Sequence, residues 1–332
     1  MQTKLSMLKI RAFPRIHVTL IGMNRDGYRI NGGIGFSITS PMLEMSFKEA
    51  DYVEVEDKRC RGFTKDELNK LTDHLLRVKN REKLDSGFVC TIHEGGIESH
   101  VGFGSNSMIY LSCVEALLIL NHRKYMESDV IALSGRGGTS GIGINTYFKG
   151  GFVFDTGIAN TGQRVLAPSS VFMDEEGHQP LLMKSLRLPP WNMGICIPAV
   201  ARKTEDEERQ FFQTNCPIEK SAVEDVLYEA VYGITSSLLE NDFEFFCQSV
   251  DAIQSTKWKS LERNLYGENL LNAEAIIKNA GAKCVGMSSL GPLLYFYGED
   301  IDGIVDRVNT DLTRGQCYKT SFNNFGRILE YD

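Results

Sequence analysis

The amino-acid sequence predicts an α+β protein built from two halves, and three observations support this prediction. Its 332 residues are enough for two domains or one large one with a real core. Hydrophobic residues make up 42% and charged residues 24% of the chain, as is typical of a globular protein. Strand-like and helix-like segments are mixed without regular βαβ alternation, which favours an α+β fold over a doubly wound sheet.

Charge and cysteine spacing argue against several classes of partner and site. The formal net charge of −7 disfavours broad binding to nucleic acid or anionic lipid. The eight cysteines are scattered and form no CxxC or Cys/His cluster of the kind that binds structural zinc. No apolar run reaches the roughly 18 residues of a membrane helix, and no signal-peptide pattern opens the chain. We therefore expect a cytoplasmic protein that binds neither nucleic acid nor membrane.

The first part of the chain has strand and turn patterns, followed by a helix. Three strands are predicted, at residues 15–23, 28–38 and 42–57. Thr64 and Glu67 form a capping-box signature, and leucines recur after them at spacings of three and four, which predicts a helix. A further strand is predicted at residues 87–95.

A Gly-x-Gly-Ser turn at residues 102–105 opens the next predicted helix, whose apolar residues from Met108 to Leu118 share one face. The unpaired backbone N–H groups at a helix N-terminus favour an anion, as does the helix dipole. The candidate phosphate-binding residues here are Gly102, Gly104, Ser105, Asn106 and Ser107. The structural alternative is that Ser105 only caps its own helix.

A second glycine-rich segment, GRGGTSGIG, covers residues 135–143. Glycine this dense is unfavourable inside a helix or strand, so we expect a loop in which a ligand approaches bare backbone. Arg136, Gly137, Gly138, Thr139 and Ser140 together supply a charged fork, free amides and two hydroxyls, which suit phosphate or pyrophosphate. A structural Ω-loop is the alternative. Two such turns in one chain favour a shared polyphosphate ligand.

The second half of the chain begins with a crossover at residues 165–190, rich in Pro, Ser and Gly. A strand follows at 193–200, and helices are predicted at residues 204–212, 221–239, 242–253, 272–281 and 300–309. A strand and a glycine turn lie between the last two helices. We place the boundary between the two domains at residue 170, giving residues 1–170 and 171–332.

Four side chains outside the glycine turns are candidates for the same pocket. Arg15 and Lys184 are candidate phosphate ligands, and His17 lies in the first strand beside Arg15. Asp155 could hold Mg²⁺ or cap a turn. The candidate catalytic residues are Arg136, Asp155 and His17, although a buried histidine or a surface charge often has only a structural role.

The motifs resemble those of a known family. HVGFGSNS (100–107) and SSLGPLLY (288–295) resemble the second and third signatures of the GHMP superfamily of small-molecule kinases. RIHVTLI, GRGGTSGIGINTYFKGGFVFDTG and VGMSSLGPLLY resemble the β-ribofuranosylaminobenzene 5′-phosphate synthases more specifically, and the resemblance spans roughly residues 11–327. It implies a GHMP-kinase-like two-domain fold, with an N-terminal S5-like α+β domain, a C-terminal ferredoxin-like α/β sandwich and the site between them.

The resemblance also implies a reaction. This family joins phosphoribosyl pyrophosphate to an aromatic acid such as 4-aminobenzoate or 4-hydroxybenzoate, with loss of pyrophosphate and CO₂, in methanopterin biosynthesis. It implies Mg²⁺ as cofactor and a homodimer. A related branch makes C-nucleosides from a pyrazole carboxylic acid, and this alternative stays open.

One position distinguishes the chain from the kinases of the superfamily. Many of them carry Ser-Gly-x-Asp followed by Gly-Gly, and the aspartate is the catalytic base. Here Ser140, Gly141 and the pair Gly150–Gly151 keep that pattern, but Gly143 replaces the aspartate. Glycine cannot accept a proton, so we expect the loop to hold phosphate without transferring it. The alternatives are an ATP-dependent kinase with another base and a non-catalytic nucleotide-binding protein.

Overall fold

The computed structural model describes residues 7–95, 97–162, 165–172 and 179–331. Its strands are β1 (Leu8–Ala12), β2 (Arg15–Gly22), β3 (Arg29–Ser37), β4 (Leu43–Ala50), β5 (Val53–Asp57), β6 (Gly87–Ile92), β7 (Phe152–Asp155), β8 (Ile158–Ala159), β9 (Leu182–Leu186), β10 (Asn192–Pro198), β11 (Cys284–Met287), β12 (Leu294–Tyr297), β13 (Gly315–Ser321) and β14 (Ile328–Tyr331). Its α-helices are α1 (Lys65–Arg81), α2 (Ser105–Leu120), α3 (Glu127–Ser134), α4 (Ile142–Lys149), α5 (Glu205–Asn215), α6 (Lys220–Tyr228), α7 (Ser236–Glu240), α8 (Phe243–Ser255), α9 (Lys257–Asn264), α10 (Gly267–Asn279) and α11 (Ile301–Asp311).

Two sheets enclose a layer of helices in the first half of the chain. The first sheet has the order β14-β1-β4-β6-β5 and is antiparallel except between β5 and β6. The second has the order β2-β3-β7-β9, and β8 also pairs with β3. Helix α2 packs on β1, β4 and β6, and α4 packs on β2, β3 and β7. Because α2 and α4 also contact each other, they connect the two sheets.

A glycine makes this packing possible. A Cβ atom at Gly35 in β3 would lie 2.4 Å from the Ile16 carbonyl oxygen and 2.6 Å from Cγ2 of Ile142. Both distances are far below van der Waals contact, so only glycine lets α4 sit this close to the sheet.

The third sheet, β11-β12-β10-β13, is antiparallel and belongs to the second half of the chain. The chain order β10, helices, β11, β12, α11, β13 is the ferredoxin-like arrangement that the resemblance implies. Along β12 the residues alternate: Phe296 packs with α10 and α11, whereas Tyr295 and Tyr297 face the main core beside α8. The α+β fold class is confirmed.

The predicted division at residue 170 stays a prediction, and the sheets cross it. Strand β9 pairs with β7, and β14 pairs with β1, so two strands from the second half complete sheets of the first. Residues 173–178 of the predicted crossover lie outside the described residues.

Several predicted elements have a different form in the structure. Residues 42–57 form two strands, β4 and β5, joined by a bend. Helix α2 is buried on every side rather than on one face, because sheet and helices surround it. Helix α4 begins inside the glycine-rich segment, where glycine density concealed an eight-residue helix. The capping box predicted at Thr64 and Glu67 is confirmed, and Thr204 and Glu207 form a second one at the start of α5. None of the described helices is both long and apolar enough to cross a membrane.

A buried carboxylate ties the C-terminal strand to the core. Glu115 of α2 has no exposed surface and accepts hydrogen bonds from Tyr125 Oη (2.9 Å) and Tyr147 Oη (2.7 Å). Arg327, just before β14, donates to both of its oxygens, with Nε 3.0 Å from Oε2. Among the described residues, Tyr125 Oη and the Arg327 guanidinium make no other hydrogen bond or ion pair. Both groups therefore depend on the Glu115 carboxylate.

We expect Glu115→Ala to lower the free energy of unfolding by about 3–5 kcal/mol, because it leaves the Arg327 charge without its buried partner. Urea denaturation followed by circular dichroism measures this change. Glu330→Ala is the control, because the Arg11–Glu330 pair on β1 and β14 is partly exposed and should contribute less than about 1 kcal/mol. Equal losses in the two variants would contradict the assignment.

Candidate functional site

A cavity of about 180 Å³ lies where β2, the start of α2, the turn before α4 and helix α5 meet. It brings together most of the residues predicted from the two glycine-rich turns. The predicted residues that line it are Arg15, His17, Gly102, Gly104, Ser105, Asn106, Ser107, Arg136, Gly137, Thr139 and Ser140.

The first glycine turn leaves the start of α2 open. Gly104 is the N-cap residue, with φ of +77°, and makes no side-chain capping bond. Ser105 is already inside the helix, so the alternative in which it caps α2 is wrong. A Cβ at Gly104 would lie 2.9 Å from Nε of Arg15, so a side chain there would displace the arginine. The first N–H groups of α2 therefore have no side-chain cap and lie at the cavity wall.

Arg15 and a turn from the second half of the chain hold this glycine turn in place. The Arg15 guanidinium donates to the Gly102 carbonyl at 2.6 Å, and Ser288 Oγ donates to the same oxygen at 2.8 Å. The backbone N–H of His17 donates to Ser288 Oγ at 3.0 Å. A Cβ at Gly291 would lie 2.2 Å from the backbone of Val101, so the two turns pack backbone to backbone. Three segments far apart in the chain, at residues 15–17, 101–104 and 288–291, thus meet at one wall of the cavity.

Arg136 supplies the charge of the second glycine turn. Its Nε donates to Ser107 Oγ at 3.3 Å, and its guanidinium lies 5.7 Å from the centre of the Tyr110 ring. Burial lowers the pKa of Arg136. Burial also lowers the pKa of Arg15 to about 10, and the charge of Arg136 adds to this effect. Both guanidinium groups remain cationic at neutral pH, so the cavity presents two positive charges beside the amides of α2.

His17, Ser140 and Asp155 form a hydrogen-bonded chain that leads away from the cavity. Ser140 Oγ donates to Oδ2 of Asp155 at 3.1 Å and lies 3.1 Å from Nε2 of His17. When Asp155 is ionised, the serine proton points to the carboxylate, and the imidazole then donates to Ser140 Oγ through Nε2. Burial first, then the charges of Arg15 and Lys259, holds the pKa of His17 well below its usual range. His17 is therefore neutral and orients Ser140.

Asp155 lies behind the wall and does not line the cavity. It is fully buried; its Oδ2 also accepts from the Gly141 N–H at 3.0 Å, and its Oδ1 from the Gly157 N–H at 2.9 Å. Burial raises its pKa to about 7 in spite of these bonds. Both oxygens are already occupied, so this carboxylate positions the turn and Ser140. Among the described residues, no cluster of three or more His, Cys, Asp or Glu side chains is suited to a metal ion.

Two other predicted residues also lie outside the cavity lining. Lys184 is exposed on β9, and its place in the second sheet keeps it out of the cavity wall. Gly138 packs under Phe172, whose Cβ would be 2.5 Å from a Cβ at this glycine. Gly143, by contrast, does line the cavity, and a Cβ there would lie 3.3 Å from Ser107 Oγ. The position where kinases carry their aspartate thus faces the wall formed by the two glycine turns without a side chain.

Sequence reasoning missed the part of the wall that comes from α5. Glu205, Glu208 and Phe212 of this helix line the cavity, together with Leu20, His100 and Leu290. Glu205 forms an ion pair with Lys70 at 3.1 Å. The acidic residues at the start of α5 have the pattern of an ordinary helix N-terminus, and nothing local in the sequence indicates that one of them faces Arg15.

Comparison with known proteins supports a synthase-like enzyme. No protein-family model matches the chain. The β-ribofuranosylphenol 5′-phosphate synthase of Methanothermobacter thermautotrophicus is 29% identical over 319 residues, covering 95% of this chain and 96% of the relative. The enzyme of the same name from Archaeoglobus fulgidus is 27% identical over 313 residues, covering 94% and 95%.

Solved structures establish the fold. Homoserine kinase from Cytophaga hutchinsonii superposes with a TM-score of 0.69 at 16% identity, covering 99% of both chains. Mevalonate diphosphate decarboxylase from Staphylococcus aureus gives 0.65 at 15% identity, covering 98% of both. The fold is therefore that of the GHMP kinases. The chain is thus similar over about 95% of its length to curated pentosyltransferase enzymes named β-ribofuranosylphenol 5′-phosphate synthase, which supports the resemblance seen in the sequence.

Proposed function

We propose that the chain is a decarboxylating C-ribosyltransferase that joins the phosphoribosyl group of phosphoribosyl pyrophosphate to an aromatic acid. The observation that carries this proposal is a cavity with two arginines and an uncapped helix N-terminus, in which Gly143 stands where a kinase has its base. The similarity to synthases of a ribosylated phenol supports 4-hydroxybenzoate as the acceptor, since loss of CO₂ from that acid leaves a phenol ring. 4-Aminobenzoate is the close analogue, and a pyrazole carboxylic acid is the alternative.

The geometry suits the electronic demands of this transfer. Diphosphate leaves the anomeric carbon as positive charge develops on the ribose, and the ring carbon that bears the carboxylate attacks. Arg15, Arg136 and the N–H groups at the start of α2 would stabilise the charge on the departing diphosphate. Binding both substrates in one cavity aligns the two carbon atoms that form the bond. Departure of CO₂ replaces the loss of a proton from that ring carbon, so no base is needed there.

We propose that Mg²⁺ binds together with the diphosphate, because Mg²⁺ prefers oxygen ligands and the diphosphate supplies them. The aspartate predicted to bind it does not fit, because both oxygens of Asp155 are occupied by hydrogen bonds behind the cavity wall. The resemblance also leads us to propose a homodimer, which analytical ultracentrifugation would test, and a place in methanopterin biosynthesis.

The proposed reaction predicts a specific set of products. Incubation with phosphoribosyl pyrophosphate and carboxyl-labelled 4-hydroxybenzoate or 4-aminobenzoate should release labelled CO₂ and pyrophosphate in equal amounts. Omission of either substrate should abolish both products. Binding of the donor without release of either product, over a panel that includes pyrazole carboxylates, would contradict the proposal.

An ATP-dependent kinase is the second candidate, because Glu208 places a carboxylate in the cavity that could replace the missing aspartate. This alternative predicts ADP formation that depends on an alcohol and requires no phosphoribosyl pyrophosphate. The same preparation assayed with ATP and a panel of alcohols distinguishes the two functions.

Arg136→Ala should raise the KM for phosphoribosyl pyrophosphate or lower kcat by roughly one to three orders of magnitude, because a charge-assisted contact to phosphate is lost. Steady-state kinetics with varied donor concentration measures this effect. Arg123→Ala is the matched control, since Arg123 is exposed beyond the far end of α2 and bonds only to the Glu82 carbonyl in the described structure. Unchanged kinetics for Arg136→Ala would remove this residue from the donor site.

Gly143→Asp should raise the KM for the donor by about tenfold or more, because a carboxylate would then lie beside Ser107 and repel the diphosphate. Gly143→Ala adds the same Cβ without the charge and should have a much smaller effect. Equal effects of the two substitutions would show that crowding, rather than charge, governs this position.

A further inference from the structure

The cavity has an apolar part that the phosphate-binding residues do not use. Leu20 of β2, Phe212 of α5 and Leu290 of the turn before β12 belong to one hydrophobic cluster, and all three line the cavity. An apolar wall beside the two arginines and the glycine turns suits an aromatic ring better than a second sugar or phosphate.

Glu208 lies next to this apolar part. It precedes Phe212 by four residues, so the two side chains lie on one face of α5, and both line the cavity. In the described structure the Glu208 carboxylate has neither a hydrogen bond nor an ion pair, whereas Glu205, one turn earlier, is paired with Lys70. A partly buried carboxylate without a partner is unfavourable, so a ligand group that bonds to it is a reasonable explanation for its presence.

We propose that Glu208 is the general base of the ribosyl transfer and accepts the proton of the acceptor's ring hydroxyl while the ring lies against Leu20, Phe212 and Leu290. This inference rests on the proposed function. It places the hydroxyl or amino group of the acceptor against the Glu208 carboxylate. The acceptor is thereby defined as an aromatic acid with a hydroxyl or amino group opposite its carboxylate.

The chemistry balances without any further reactant. Glu208 takes the proton from the ring oxygen, and the phenolate electrons move to the carbon opposite, which bears the carboxylate. That carbon forms its bond to the anomeric carbon as the bond from the anomeric carbon to the diphosphate oxygen breaks. The bond to the carboxylate then breaks, CO₂ leaves, and its electron pair restores the aromatic phenolate. Glu208 returns the proton to the ring oxygen.

The surroundings of Glu208 suit a base that works near neutral pH. Burial raises the pKa of Glu208 to about 7. The charges of His100 and Arg15 oppose this rise, whereas the charges of Glu205 and Glu262 add to it. His100 lies in the loop before α2, Glu205 in α5, Glu262 in α9 and Arg15 in β2. A base with a pKa near the working pH accepts a proton well and also returns it.

The two acceptors should depend on Glu208 to different extents. A phenol must lose its proton before its oxygen becomes a strong electron donor. A neutral aromatic amine already donates its lone pair and needs only a hydrogen-bond acceptor for its N–H. Removing the base should therefore lower the rate with 4-hydroxybenzoate more than the rate with 4-aminobenzoate.

Glu208→Gln tests the proposal with the full chain. We expect kcat/KM for 4-hydroxybenzoate to fall by about 100-fold or more, the range of general base catalysis. The loss for 4-aminobenzoate should be nearer tenfold, and the KM for phosphoribosyl pyrophosphate should stay within about twofold of the original, since hydrogen bonding and donor contacts survive. Asp206→Asn is the control, because it removes a carboxylate of the same helical turn that is exposed and does not line the cavity.

The pH dependence provides a second readout. In the unmodified enzyme, kcat/KM for 4-hydroxybenzoate should fall as the pH drops below about 7, because protonated Glu208 cannot accept the hydroxyl proton. Glu208→Gln should lose this acidic limb, and Glu208→Asp should keep it at a reduced rate.

The outcomes separate this inference from the function on which it rests. Absence of pyrophosphate and CO₂ with every acceptor in the unmodified enzyme would overturn the proposed function. Normal turnover in the unmodified enzyme, with equal losses for both acceptors or a persistent acidic limb in Glu208→Gln, would overturn the role of Glu208 alone. Thermal unfolding of Glu208→Gln checks that the fold is intact, and Glu208→Asp provides the same pH test if it is not.

Discussion

The structure of the site depends on one constraint: the first N–H groups of α2 carry no side-chain cap and must be presented at a fixed place. Gly104 makes this possible because its left-handed backbone turns the chain into the helix while leaving room for Arg15. Both Arg15 and Ser288 bind the Gly102 carbonyl, so a residue from each half of the chain fixes the same turn. An anion at this wall would meet donors that need little rearrangement on binding.

Helix α2 is held in place by its burial, since every residue of it except Asn106, Ser107 and Ile119 is buried. Helix and sheet neighbours surround it, and Glu115 anchors it to Tyr125, Tyr147 and Arg327. The hydrogen-bonded chain from His17 through Ser140 to Asp155 does the same for the second glycine turn. Polar groups that resemble catalytic residues in the sequence thus serve to position the backbone. The cavity surface itself carries the charged groups of Arg15, Arg136, Glu205 and Glu208.

Local chemistry explains what the sequence predicted and what it did not. The helix caps and glycine turns were predictable because N-capping and positive φ are properties of a few adjacent residues, as at Thr64 and Gly104. The failure at Lys184 and the omission of Glu208 have a common cause. Whether a charged side chain faces a cavity is decided by tertiary packing of β9 and α5, and no local pattern records that packing. Strands β1 and β14 were missed for a similar reason, since each is short and completed by a distant partner.

The pairing of β14 with β1 has a consequence for how the molecule is made. Arg11 and Glu330, joined across these strands, are 319 residues apart, so the first sheet closes only with residues from the far end of the chain. During translation this edge of β1 stays unpaired until β14, about 319 positions further along the chain, has been synthesised. The first sheet is therefore completed long after β1 has been made, and a nascent chain that stalls before β14 offers that edge to chaperones or to other chains.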